Sequence, residues 1–164
     1  FAYNGGFSIY AAMGGAKRVY SVDIAAQALE DAKEIFRLNN INPDKHVFEA
    51  TDAFKWEAPE SMDIFICDPP SLSKGKQSDA NAQKAYQDLA SNCAKQVAKG
   101  SVLATASCTA RLTSKEWERT IIRGIRNHGQ WSWMWRSYEP IDHPVMLEHF
   151  EARYLKFALL HRRH

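Results

Sequence analysis

The sequence predicts an α/β domain built around an open, mostly parallel sheet, and three observations lead there. Short apolar runs of strand length alternate with stretches of helical spacing. Acidic residues stand at the ends of three successive predicted strands: Asp23, Asp52 and Asp68. The paired glycines Gly5 and Gly6 precede the first of these acids by about eighteen residues, close to the spacing at which a dinucleotide-binding fold sets a carboxylate on a ribose.

Composition bounds the classes. The 164 residues, 45% of them hydrophobic, suffice for one such domain with a real core and argue against disorder. No apolar run reaches the length of a membrane span, and no signal peptide is visible within the chain. A net charge of +2 permits RNA as a partner without arguing for it. Cys67, Cys93 and Cys108 are odd in number and widely spaced, which supports neither a disulfide framework nor a zinc site. Free thiols suit a reducing cytoplasm.

In chain order, Gly5 and Gly6 let the backbone turn sharply and approach a ligand, although a Gly pair alone also reads as an ordinary turn. Ser8–Met13 suits a short helix that Gly14 and Gly15 end. This is the back half of a strand, Gly-loop and helix unit, so the chain reads as a piece of a longer protein, beginning beside its first ligand loop. Arg18–Asp23 is a strand ending in an acid. That carboxylate can accept two hydrogen bonds from a vicinal diol, or cap the next helix. Ala25, Leu29, Ala32 and Phe36 give the helix its spacing, and Asn39-Asn40 closes it. His46–Ala50 is a further short strand, with Asp52 just past its end in Thr51-Asp52-Ala53-Phe54.

The stretch Met62–Ser71 organises the rest. Ile64, Phe65 and Ile66 suit a buried parallel strand. Pro69 and Pro70 end it, since neither has the N–H a ladder needs. Asp68 therefore stands at the carboxyl end of a strand on a stiff turn, where open α/β sheets bind ligands. The alternative is an edge strand ending in a surface turn.

Lys74 and Lys76 come next in a polar segment, either to meet phosphate or as ordinary surface lysines. Ala82, Tyr86, Leu89, Cys93 and Val97 make a helical stripe with Gly100 as its stop, and Cys93 there is a core residue. Ser101–Ala106 is the next strand, running into Ser107-Cys108-Thr109. If it neighbours the Asp68 strand, thiol and carboxylate face one pocket. Thr113 and Glu116 form a capping box for a helix with Trp117, Ile121 and Ile125 inward. Trp131, Trp133 and Trp135 alternate on one strand face, as core in preference to a stacking surface for bases. Leu155, Phe157 and Leu159 alternate in a last strand, which can pair antiparallel with the tryptophan strand. His143 and His149 lie between the two; lone loop histidines are more often neither catalytic nor metal ligands.

Taken together, FxYNGGFSxYAA, SVDI, ATDAF, DPPS, ASCT and DHPV…E-x-R-Y-L-K resemble class I S-adenosylmethionine-dependent methyltransferases. More narrowly they resemble the bacterial 23S ribosomal RNA 5-methylcytosine methyltransferases of the YccW/RlmI-like family, through essentially the whole chain. The resemblance implies a Rossmann-like sheet of seven strands with an antiparallel last strand. Six would come from this chain as one domain over 1–164, and the first strand is missing from it. It also implies an upstream PUA-type RNA-binding domain and a linking domain. By motif, Asn4, Gly5 and Gly6 would line the methionine part of S-adenosylmethionine and Asp23 would hold the ribose hydroxyls. Asp52 would meet the adenine amino group, with Ile24 and Ala53 against the ring. Asp68 would border cofactor and target base, and Cys108 would be the nucleophile. Some RNA cytosine methyltransferases carry a second Cys after the Pro pair, where this chain has Ser71. The expected partner is RNA, 23S ribosomal RNA in particular, with no membrane and no metal; the oligomeric state stays open, a homodimer included. Two other readings stand beside this one: a guanine-N methyltransferase of the same fold, which needs no nucleophilic Cys, and a non-catalytic RNA-binding or assembly module.

Overall fold

In the computed structural model, which describes residues 1–72, 79–149 and 152–164, the chain divides after Glu57 into two units, Phe1–Glu57 and Ala58–His164. The first contains helix α1 (Gly6–Met13), strand β1 (Tyr20–Asp23), helix α2 (Ala26–Leu38), one 3₁₀ turn (Pro43–Lys45) and strand β2 (Val47–Ala50). β1 and β2 pair in parallel, from Tyr20 opposite Val47 to Asp23 opposite Ala50. The helical spacing read in the sequence is the buried face of α2: Leu29, Ala32 and Phe36 are all buried. Phe36 meets the Phe48 ring edge-on at 5.3 Å and the His46 ring at 5.1 Å. The hydroxyl of Ser21 donates to that of Ser8 at 2.8 Å, both buried, which ties α1 to β1. Such a pair is favourable because each group would otherwise be buried without a partner.

His46 acts here as an acceptor: its Nδ1 receives the Val19 N–H at 3.2 Å. Burial, with Lys45 adding to it, pushes the pKa of His46 below its ordinary value. The unfolded chain therefore takes up a proton first as pH falls. Stability is complete above about 6.5 and declines as pH drops from there toward the folded value. Urea denaturation at stepped pH should show that decline. His46→Asn, which cannot titrate, should flatten part of it; the remainder belongs to His128, whose pKa burial also lowers.

The second unit runs β3 (Met62–Cys67), α3 (Asp79–Gln96), β4 (Val97–Ser107), α4 (Ser114–Ile125), β5 (Trp131–Ser137) and β6 (Lys156–Arg162). Its sheet has the order β3-β4-β6-β5. β3 and β4 are parallel; β6 is antiparallel to both β4 and β5, as the pairing of the tryptophan strand with the last strand predicts. Helix α4 starts at the capping box. The Glu116 N–H donates to Thr113 Oγ1 at 3.3 Å and the Thr113 N–H to Glu116 Oε2 at 2.9 Å. Trp117, Ile121 and Ile125 face the core as expected, against a helix α3 that buries Tyr86, Leu89 and Cys93. Cys93 is indeed packing: it is buried, and a hydrogen bond with the Cys67 thiol together with burial raises its pKa well above the usual thiol range.

The α/β class that the sequence predicts is what the structure shows, its six described strands pairing as two and four. Several other sequence expectations need correction. Ile64 in β3 is 64% exposed rather than buried. Val97 opens β4 rather than closing the α3 stripe. Met62 pairs with Val97 and Ile64 with Val102, so β4 carries extra residues around Gly100, whose φ is +79°. A glycine that ends a helix by sequence here kinks a strand. Trp131, Trp133 and Trp135 do not share one face. The register with β6 shifts between Trp133 and Trp135, and the bulge leaves Trp135 61% exposed. In β6 the fully buried face is Lys156, Ala158 and Leu160; Phe157 and Leu159 are half-buried and Leu155 precedes the strand.

Candidate functional site

The first group of predicted site residues belongs to the first unit. Gly5 sits before α1 with φ +80°, a left-handed conformation that glycine adopts without strain. A Cβ on Gly5 would come 2.9 Å from Ala32 Cβ, so glycine also lets this loop lie against α2. Gly6 is different: a Cβ there would meet nothing within 4 Å among the described residues. Asp23, the last residue of β1, holds the loop. Its Oδ2 accepts the Tyr3 N–H at 2.8 Å and its Oδ1 accepts the Ala25 N–H at 2.9 Å. Burial works to raise its pKa, but those backbone donors outweigh it and hold the carboxyl below its usual range. Asp23 thus braces the start of α2 without being its N-cap, which is Ala25 with no side-chain cap.

The Thr51 N–H donates to the Asp23 carbonyl at 2.9 Å, so the turn carrying Asp52 starts beside Asp23. Asp52 Oδ1 accepts the Phe54 N–H at 3.0 Å, which shapes the turn around half-buried Ala53. Ile24 is 77% exposed next to Asp23. Asn4, Gly5, Gly6, Asp23, Ile24, Asp52 and Ala53 therefore do gather around the carboxyl ends of β1 and β2. Each Asp23 oxygen receives one backbone N–H and keeps acceptor capacity. That capacity, with the open space over Gly6, fits a nucleoside diol.

The second group belongs to the second unit. β3 and β4 are adjacent and parallel with Cys67 opposite Thr105. Asp68 and Cys108 therefore leave neighbouring strands at the same end, offset by two residues, or roughly 7 Å along the strands. Asp68 is exposed, and Pro69 after it is buried. Partial desolvation raises the Asp68 pKa above the ordinary carboxylate value. Cys108 is half-exposed, unlike Cys67 and Cys93. Lys74 and Lys76 lie outside the described residues. His143 is accounted for structurally: its ring packs edge-on to Tyr154 at 5.2 Å, with Nε2 3.4 Å from the Ala152 carbonyl.

Two residues that the sequence places elsewhere join this group. Tyr86, read as core, puts its hydroxyl between the two strand ends. It accepts the Ser107 hydroxyl at 3.0 Å and, more weakly, the Leu72 N–H at 3.5 Å. Ser107 Oγ in turn receives the Thr109 N–H at 3.3 Å. Lys156 is buried, and its Nζ donates to the carbonyls of Thr109 at 2.6 Å and Tyr154 at 2.8 Å. The signal for Lys156 is present in the sequence: a lone charge on a strand whose same-face neighbours are Ala158 and Leu160. Tyr86 carries no such signal, because a buried hydroxyl and a buried ring read alike on a helical stripe.

The chain is similar to known proteins. A family model described as S-adenosylmethionine-dependent methyltransferase matches residues 1–117. A protein of Deinococcus radiodurans named ribosomal RNA large subunit methyltransferase is 36% identical over 98% of this chain and 40% of its own length. One of Tolumonas auensis, named ribosomal RNA large subunit methyltransferase I, is 32% identical over 95% of this chain and 41% of its own. The chain thus spans about two fifths of the length of these relatives. The crystal structure of SMU.776, described as a methyltransferase in complex with S-adenosylhomocysteine, superposes with a TM-score of 0.83 at 25% identity, over 97% of this chain and 43% of that one.

Proposed function

We propose, from the premise that this chain belongs to the S-adenosylmethionine-dependent methyltransferase family, that it is the catalytic part of an enzyme forming 5-methylcytosine in 23S ribosomal RNA. The observation that carries the reading is the pairing of β3 with β4, from which a carboxylate and a half-buried thiol emerge at the same end, two residues out of step. The names of the relatives support ribosomal RNA of the large subunit as substrate.

Asp23 holds the ribose hydroxyls of the cofactor, Asp52 the adenine amino group, with Ile24 and Ala53 against the ring. Asn4, Gly5 and Gly6 border the methionine part. Bound S-adenosylmethionine supplies an electrophilic methyl group on a sulfonium. The C5 carbon of cytosine is too weak a nucleophile to take that methyl unaided. The Cys108 thiolate adds to C6, and the electron pair it displaces makes C5 nucleophilic. Asp68 hydrogen-bonds the N3/N4 edge of the base while C6 is attacked. Methyl transfer to C5 leaves S-adenosylhomocysteine; the C5 proton then passes to bulk water, and the electron pair of that C–H bond restores the C5–C6 double bond as the Cys108 sulfur leaves as thiolate. A base inside a duplex reaches Cys108 only when flipped out or presented in a loop.

Nucleoside analysis of ribosomal RNA modified by the full-length protein tests this assignment. 5-Methylcytosine is the expected product; an N-methylguanine would move the chain to the other acceptor class, and no methylation together with no S-adenosylmethionine binding would leave a binding module. The cofactor half has its own test. Asp23→Ala removes both the diol acceptor and the brace on the loop, so calorimetry should show S-adenosylmethionine affinity down roughly 10- to 100-fold. An unchanged Kd would remove Asp23 from the cofactor site.

A further inference from the structure

Lys156 is 3% exposed, and a buried ammonium is costly unless something answers its charge. Two of its three N–H groups go to the Thr109 and Tyr154 carbonyls. Neutral carbonyls bond a cation but do not neutralise it. Among the described residues no carboxylate lies within ion-pair distance of Nζ. The acidic groups whose charge bears on it are Glu139, which accepts the Leu155 N–H at 3.2 Å, and Cys108. Burial lowers the pKa of Lys156, and those two groups act against the fall.

The backbone makes the relation to Cys108 specific. Lys156 stands opposite Ser107 in the β4–β6 ladder, and its side chain reaches forward to the carbonyl of Thr109. It therefore grips the chain on both sides of Cys108. The Thr109 N–H is tied back to Ser107 Oγ, which is tied to Tyr86, so the turn has little freedom to move.

We propose that Lys156 is the positioning residue of the nucleophile: it fixes the Cys108 turn and supplies the positive charge that the thiolate faces. The proposal rests on the reading of Cys108 as nucleophile for its catalytic consequence, though not for its electrostatic one. Losing the charge should slow single-turnover transfer, because the attacking thiolate loses the cation it faces and its aim is looser. RNA affinity should stay the same, since Lys156 is too buried to reach the substrate backbone.

The experiment compares alkylation of Cys108 by iodoacetate, which is anionic, with alkylation by iodoacetamide, which is neutral, in the full-length protein, with the Cys108 peptide quantified by mass spectrometry. The ratio of the two rates reads the electrostatic potential at the sulfur and does not move merely because a site loosens. In the native protein the ratio should exceed that of the urea-unfolded chain by roughly tenfold. Lys156→Gln, which can keep a carbonyl bond without the charge, should bring it back toward the unfolded value and slow transfer at unchanged RNA affinity; Lys156→Arg should retain most of it. A native ratio equal to the unfolded one overturns the proposal without any variant having to fold. So does a folded Lys156→Gln protein with the native ratio. If Cys108→Ala keeps making 5-methylcytosine, the nucleophile reading fails while the alkylation ratio still decides the electrostatic claim. If Cys108→Ala is dead and Lys156→Gln transfers at the native rate, the positioning role alone fails.

Discussion

Cys108→Ala is expected to reduce 5-methylcytosine formation by at least about a thousandfold, with S-adenosylmethionine binding unchanged. The size comes from the chemistry. Without addition at C6 the cytosine ring has no route to a nucleophilic C5, so the residual groups of the site have little to accelerate. Cofactor binding is kept because Cys108 is not among the residues proposed to hold the cofactor. Trapping of full-length protein on RNA that carries 5-fluorocytosine should be lost in the same variant, since that base blocks release of the Cys–C6 adduct. Retained product would end the covalent mechanism. A loss of cofactor binding together with activity would instead point to a folding defect.

Gly124→Ala should be the most damaging small substitution for stability. Gly124 lies inside α4, where helix propensity alone favours alanine by about 1 kcal/mol. The packing reverses that sign. A Cβ at Gly124 would stand 2.5 Å from the Gln87 carbonyl oxygen, 2.9 Å from Ala90 Cβ and 3.2 Å from the Ser91 nitrogen. Two of these are backbone atoms of α3, which cannot swing aside as a long side chain can. The helices must separate, at a net cost of roughly 2–3 kcal/mol and a fall in Tm of about 5–10 °C. Because α3 carries Tyr86, which bridges the ends of β3 and β4, methyl transfer should fall before global unfolding. A thermal denaturation midpoint equal to that of the native protein would show that the helices have slack.

Much of the local structure was legible in the residues themselves. The spacing of Leu29, Ala32 and Phe36, the Thr113–Glu116 capping box and the strand-ending Pro69-Pro70 act over a few residues, so they are visible before folding. The acids at strand ends were legible for the same reason: parallel neighbours share a direction, so within each unit the residues just past the paired strands, Asp23 with Asp52 and Asp68 with Cys108, come to one edge. That logic brought Asp68 and Cys108 together without any knowledge of register.

The features that the sequence could not settle depend on partners distant along the chain. Whether Trp135 shares a face with Trp133 is decided by a bulge against β6. Whether Gly100 ends a helix or kinks a strand is decided by the pairing of β4 with β3. Gly124 looks like an ordinary weak point of a helix until α3 is laid against it. What holds Lys156 is decided by the insertion of β6 beside β4, which removes its solvent and leaves two carbonyls and the Cys108 turn around it. Periodicity, caps and strand-end chemistry are properties of neighbouring residues and are written in the chain. Close approach, burial of charge and register are properties of surfaces that meet, and only the tertiary structure decides them.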